Sequence, residues 1–110
     1  MLTQPTGDAP ALSREEVKRG LETGSIALVD VREPDEYEVR RIPGSVCHPL
    51  SRFDAQALPD DGRRIVFTCS AGVRSQHAAH AAQAAGVSEV AHYQGGIQDW
   101  VTAGEPVETG

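Results

Sequence analysis

Two short apolar runs, Ile26 to Val31 and Arg64 to Thr68, constrain this chain more than any other feature. Runs this brief and this continuous suit strands covered on both faces, as in a parallel sheet. Parallel neighbours require crossovers, and helix signals stand where crossovers would be. Ser13 and Glu16 form a capping box, Leu12 and Val17 take staple positions, and Gly24 lies past the far end. Pro34 suits the first turn of a second helix running toward Val39, which Pro43-Gly44 ends. Ser45 to His48 reads as a short strand, and Ser51 with Asp54 as a brief capped helix before the turn at Pro59 to Gly62. Ser75 to Ala85 is an alanine-rich helix ended by Gly86. Glu89 to Tyr93 is a last strand, and Ile97 to Ala103 a helix stopped by Gly104. The expected architecture is three-layer α/β/α, a parallel sheet between helices.

The chain has 110 residues, enough for one domain with a real core. Residues 1–11 hold two prolines and a glycine in the polar stretch from Thr3, and read as a flexible arm. The single domain is expected over residues 12–108. Two cysteines are too few for a disulfide scaffold. No secretory pattern and no membrane-spanning run is visible, which sets a cytoplasmic expectation. The net charge of −6 argues against nucleic acid or an anionic membrane as partner, so an anionic substrate needs locally arranged donors.

Such donors are expected directly after the second apolar run. Cys69 falls at the carboxyl end of a strand, where open α/β sheets bind ligands. The following Ser70-Ala71-Gly72 are small enough for successive amides to curl inward as an anion-binding nest. Val73, Arg74 and Ser75 lead into a helix N-terminus, whose free N–H groups favour negative charge, and Arg74 adds a fork of donors. This placement is expected to lower the Cys69 thiol below its ordinary pKa of about 8.5 and make it a nucleophile. An inert buried cysteine is the plainer alternative. The glycine, arginine and helix start at short range weigh against it.

With these residues in view, the sequence resembles a rhodanese-like domain over nearly its whole length. Asp30-Val31-Arg32-Glu33-Pro34-Asp35-Glu36-Tyr37 is similar to the family's first motif, and Arg41-Ile42-Pro43-Gly44-Ser45 with Pro49-Leu50 to its second. Cys69 to Ser75 resembles its active loop. Gly95-Gly96-Ile97, Trp100 and Gly104-Glu105-Pro106-Val107 resemble its C-terminal signature. The resemblance implies a central five-stranded parallel sheet and sulfur transfer through a Cys69 persulfide, with Ser70 to Ser75 binding substrate. The implied donor is thiosulfate or another small anionic or persulfide compound, and the acceptor is cyanide, a thiol or a protein. No cofactor or metal is implied, and the assembly expected is a monomer or weak homodimer. Related phosphatases and arsenate reductases carry a loop one residue longer, so the four residues between Cys69 and Arg74 favour sulfur. A non-catalytic binding or regulatory module is the other reading, against which the presence of both Cys69 and Arg74 counts.

Two departures stand out. Ser70 occupies a position where many rhodaneses have a basic residue, which disfavours thiosulfate relative to a less charged persulfide. Arg40-Arg41 replaces a Gly-His pair. Among lesser candidates, Cys47 is a resolving cysteine only if it lies close to Cys69. His77 and His80 share a helix face but lack a second cluster, and His48 and His92 stand isolated. Trp100 is either core or pocket mouth, and Glu36 pairs either with Arg74 or with Arg40 along its own helix.

Overall fold

Every residue of Ile26–Asp30 is buried, as are the last four of Arg64–Thr68, and these two strands lie side by side at the centre of the molecule. The computed structural model describes residues 9–110. In chain order the elements begin with β1 (Ala11–Leu12), α1 (Arg14–Thr23), β2 (Ile26–Asp30), α2 (Pro34–Val39), β3 (Arg40–Arg41) and β4 (Val46–Cys47). They continue with β5 (Arg64–Thr68), α3 (Val73–Ala84), β6 (Ala91–Tyr93), α4 (Gly96–Thr102) and β7 (Glu108–Thr109). The main sheet has five strands in the order β1-β6-β5-β2-β4, every neighbour parallel. The expected parallel architecture is therefore present.

Alternation along the central strands divides the core. Val29, Val31, Ile65 and Phe67 face Ala78, Ala79 and Ala82 of α3 on one side. Leu28, Val66 and Ala91 face Val17 of α1 and Ile97 and Trp100 of α4 on the other. Small alanines let α3 approach the sheet closely, which fits its weak amphipathic pattern to a flat apolar surface. Trp100 is core, 4% exposed, its indole N–H donating to the Pro106 carbonyl at 2.7 Å.

Several boundaries differ from expectation for identifiable reasons. The α1 capping box forms as read, with the Ser13 hydroxyl accepting from Glu16 N–H at 3.2 Å. The arm expected over residues 1–11 is pinned at its described end, because Ala9 is buried and Ala11–Leu12 pairs with His92–Tyr93. The rest of that arm, residues 1–8, lies outside the described residues. The helix expected near Ser51 is instead two 3-10 turns, Leu50–Arg52 and Ala55–Ala57. Asp54, whose own N–H goes to His48 Nε2, caps only the second. A two-stranded antiparallel ribbon of β3 and β7 was not legible, since each strand has just two residues. Helix α3 starts at Val73, two residues early, so Arg74 lies in its first turn.

Two features fix what stands around the end of β5. Asp30 and Arg32 form a buried bidentate ion pair, with Nη2 to Oδ2 at 2.7 Å and Nε to Oδ1 at 3.0 Å. Arg32 also donates to the carbonyls of Glu36 and Arg40, tying α2 to β2. The first amides of α4 then bind the loop after β5. Ile97 N–H donates to the Cys69 carbonyl at 2.9 Å, and Gln98 N–H to that of Ser70 at 3.1 Å. Contact this close requires Gly96, at φ +64°, where a β-carbon would stand 2.4 Å from the Ser70 oxygen and 2.6 Å from that of Cys69. Gly96→Ala is expected to cost about 2–4 kcal/mol, a fall of roughly 9–17 °C in Tm by thermal denaturation. An unchanged Tm would show that this contact is dispensable.

Candidate active site

A trans peptide unit points its carbonyl and its N–H in opposite directions. Because α4 holds the carbonyls of Cys69 and Ser70, the N–H groups of the same peptide units, those of Ser70 and Ala71, turn to the other side of the loop. The chain then passes through Gly72 at φ +97°, where a β-carbon would lie 2.4 Å from the Gln94 carbonyl oxygen, and enters α3. The result is a ring of donors around one sulfur. Gly72 N–H donates to Cys69 Sγ at 3.2 Å and Ser75 N–H at 3.3 Å. The Ala71 N–H also bears on the thiol.

Cys69 is 1% exposed. Burial is the largest single influence on its thiol and acts to raise the pKa. The Ser75 hydroxyl and the N–H groups of Ser75, Gly72 and Ala71 act against it and together win, so the net shift is downward. The loop's own dipoles thus lead the stabilisation of a thiolate.

Arg74 has a different task from the one its charge suggests. Its Nη1 and Nη2 bind Glu36 Oε1 and Oε2 at 2.8 and 3.1 Å, and Nη2 also donates to the Ser70 hydroxyl at 3.1 Å. Beside this guanidinium the Glu36 carboxyl falls to about 2, so the pair stays ionised well into acid. Of the two partners expected for Glu36, the structure selects Arg74 over Arg40. The fork braces the loop from α3 across to α2, and much of its charge is matched by the carboxylate.

The structure thus brings Cys69, Ser70, Ala71, Gly72, Arg74 and Ser75 together and leaves Val73 exposed at the lip. It adds residues that sequence reasoning did not place here: Gly96 and Ile97 through their backbone, and His92, whose Nδ1 lies 3.1 Å from Ser75 Oγ. The His92 signal was hidden because only strand pairing puts it beside the loop. Cys47 does not join the site. Asp30 is opposite Cys47 on one side and Thr68 on the other. That sets Cys47 two strand spacings from Thr68, about 9–10 Å, too far for a disulfide without backbone movement. Burial also pushes the Cys47 thiol up, away from reactivity. His77 and His80 are exposed on α3, and among the described residues no helix is long and apolar enough to cross a membrane.

The rhodanese-like domain family model matches residues 13–103. The thiosulfate:glutathione sulfurtransferase of Saccharomyces cerevisiae is 36% identical over 108 residues, covering 84% of this chain and 78% of that one. A probable adenylyltransferase/sulfurtransferase, MoeZ of Mycobacterium tuberculosis, is 36% identical over 100 residues, which cover 86% of this chain but 25% of the larger protein. Among solved structures, the human single-domain sulfurtransferase TSTD1 superposes with a TM-score of 0.75 at 27% identity, over 86% of this chain and 96% of that one. Fold, loop and relatives agree: this chain belongs to the rhodanese-like domain family and has sulfurtransferases among its relatives.

Proposed function

We propose that the protein is a sulfurtransferase that carries sulfur as a persulfide on Cys69. The observation that supports this best is the ring of loop N–H groups converging on a single buried sulfur. The Cys69 thiolate attacks the outer sulfur of the donor. A new S–S bond forms, the old bond to that sulfur breaks, and its electron pair leaves with the departing group, sulfite when the donor is thiosulfate. An acceptor thiolate or cyanide then attacks the terminal sulfur and regenerates the Cys69 thiolate, a ping-pong cycle. Ser70 to Ser75 bind the substrate and the developing negative charge, with the amides of Ala71, Gly72 and Ser75 as donors. The yeast relative's name specifies thiosulfate and glutathione, which favours a thiol as acceptor here.

The donor is set by charge. Ser70 brings no cation, and Arg74 is held by Glu36, so a dianionic donor meets little uncompensated positive charge. A less charged persulfide fits better.

Incubation with an alkyl persulfide, followed by intact-mass measurement, is expected to add one sulfur atom to the protein and none to Cys69→Ser. Thiosulfate should load it more slowly. No adduct with either donor would refute sulfur transfer, and turnover of a chromogenic phosphate ester in its place would assign a phosphatase. Ser70→Arg is expected to raise kcat/KM for thiosulfate by about three- to tenfold, the effect of one added charge-assisted contact. The alkyl persulfide rate should hardly change. Equal gains for both donors would contradict a role for charge in donor choice.

A further inference from the structure

The Arg74–Glu36 pair stands at the edge of the active loop and is open to solvent, its side chains 35% and 36% exposed. Nη2 of Arg74 donates to the Ser70 hydroxyl at 3.1 Å, which puts the guanidinium beside the residue that follows Cys69. Arg74 and a Cys69 thiolate also feel each other's charge. Glu36 is held from two sides. Its Oε1 accepts from the Glu33 N–H at 2.9 Å as well as from Arg74 Nη1 at 2.8 Å. Helix α2, which carries it, is tied to β2 through Arg32.

This arrangement separates two things an arginine can offer, hydrogen-bond donors and charge. Two guanidinium N–H groups go to the carboxylate and one to Ser70. Arginine has five, so the Nε–H and one Nη1–H have no bonded acceptor among the described residues. Glu36 therefore leaves Arg74 able to donate while cancelling its charge. A ligand arriving at the loop meets N–H groups but no net cation. Glu33 and Asp35 flank Glu36 on α2, and the chain as a whole carries −6. Repulsion grows with the charge of the ligand, so a dianion is disfavoured more than a monoanion.

We propose that Glu36 is the specificity-determining residue of the site: by matching the Arg74 charge beside the loop, its carboxylate turns away dianionic donors and admits singly charged persulfides. The choice of donor is then made on α2, outside the loop that holds the sulfur. This rests on the reading of Cys69 as nucleophile. It concerns which anions reach the thiolate, so it can be tested without sulfur transfer.

The test compares alkylation of Cys69 by iodoacetate and by iodoacetamide, which differ by one negative charge, in a Cys47→Ser background so that one thiol reports. The readout is the ratio of the two rates, in which any change of thiol pKa or loop order cancels. Glu36→Gln leaves Arg74 unmatched and is expected to raise the iodoacetate:iodoacetamide ratio about three- to tenfold at low ionic strength. That gain should shrink in about 1 M salt. Arg74→Gln leaves the carboxylate unmatched and should lower the ratio by about the same factor, and the double variant should return to within about twofold of the parent. Glu36→Asp keeps the charge on a shorter arm and should also stay within about twofold. An unmoved ratio in Glu36→Gln, or an equal rise in Glu36→Asp, would overturn the proposal, because bracing and not charge would then be the role of Glu36. If Glu36→Gln does not fold, Arg74→Gln and Glu36→Asp decide: an unmoved ratio in the first or a raised ratio in the second refutes it. Shifted ratios in a protein that takes up no sulfur from thiosulfate or an alkyl persulfide would leave anion selection by Glu36 standing and remove the sulfurtransferase reading. Sulfur loading with unmoved ratios would do the reverse.

Discussion

The two hydrogen bonds from Ile97 and Gln98 to the carbonyls of Cys69 and Ser70 determine which way the loop after β5 faces. Peptide planarity converts a constraint on carbonyls into a constraint on the amides behind them. With the carbonyls of Cys69 and Ser70 held by α4, the Ala71 N–H is turned to the thiol's side, while the Gly72 and Ser75 N–H groups reach Cys69 Sγ through the turn at Gly72 and the start of α3. Gly96 makes this possible, since any β-carbon there would occupy the space of the bonded oxygens. A segment far along the chain thus holds the start of the loop that surrounds the thiol. The C-terminal signature and the loop are one device.

Charge is managed by pairing. Arg32 is fixed on Asp30 inside the fold and on the carbonyls of Glu36 and Arg40. That holds α2 where Glu36 can meet Arg74 in a bidentate bond. Arg74 in turn braces Ser70. The site therefore relies on short-range dipoles more than on a free positive charge, in keeping with a chain of net charge −6. Preorganised N–H donors stabilise a sulfur anion without attracting every anion in solution.

The parallel sheet was legible because β2 and β5 are apolar throughout, a pattern that only two-sided burial explains. The loop was legible because Cys69, Gly72 and Arg74 lie within one turn of one another in sequence. What escaped was long-range. The partner of Glu36 depended on where α2 docks, which local spacing leaves open between Arg40 and Arg74. His92 looked isolated because its neighbour Ser75 is 17 positions away. The ribbon of β3 and β7 carries too few residues for any periodicity. Cys47 needed the strand order before its separation from Cys69 could be read.

Chemistry at Cys69 depends on loop amides holding its thiolate. Amide proton shifts of Ala71, Gly72 and Ser75, followed by NMR as pH is raised, test this directly. The three protons are expected to move downfield together, with one midpoint below that of an ordinary cysteine, and to stay still in Cys69→Ser. Stationary amides while Cys69 ionises, or a midpoint at or above the ordinary cysteine value, would contradict it.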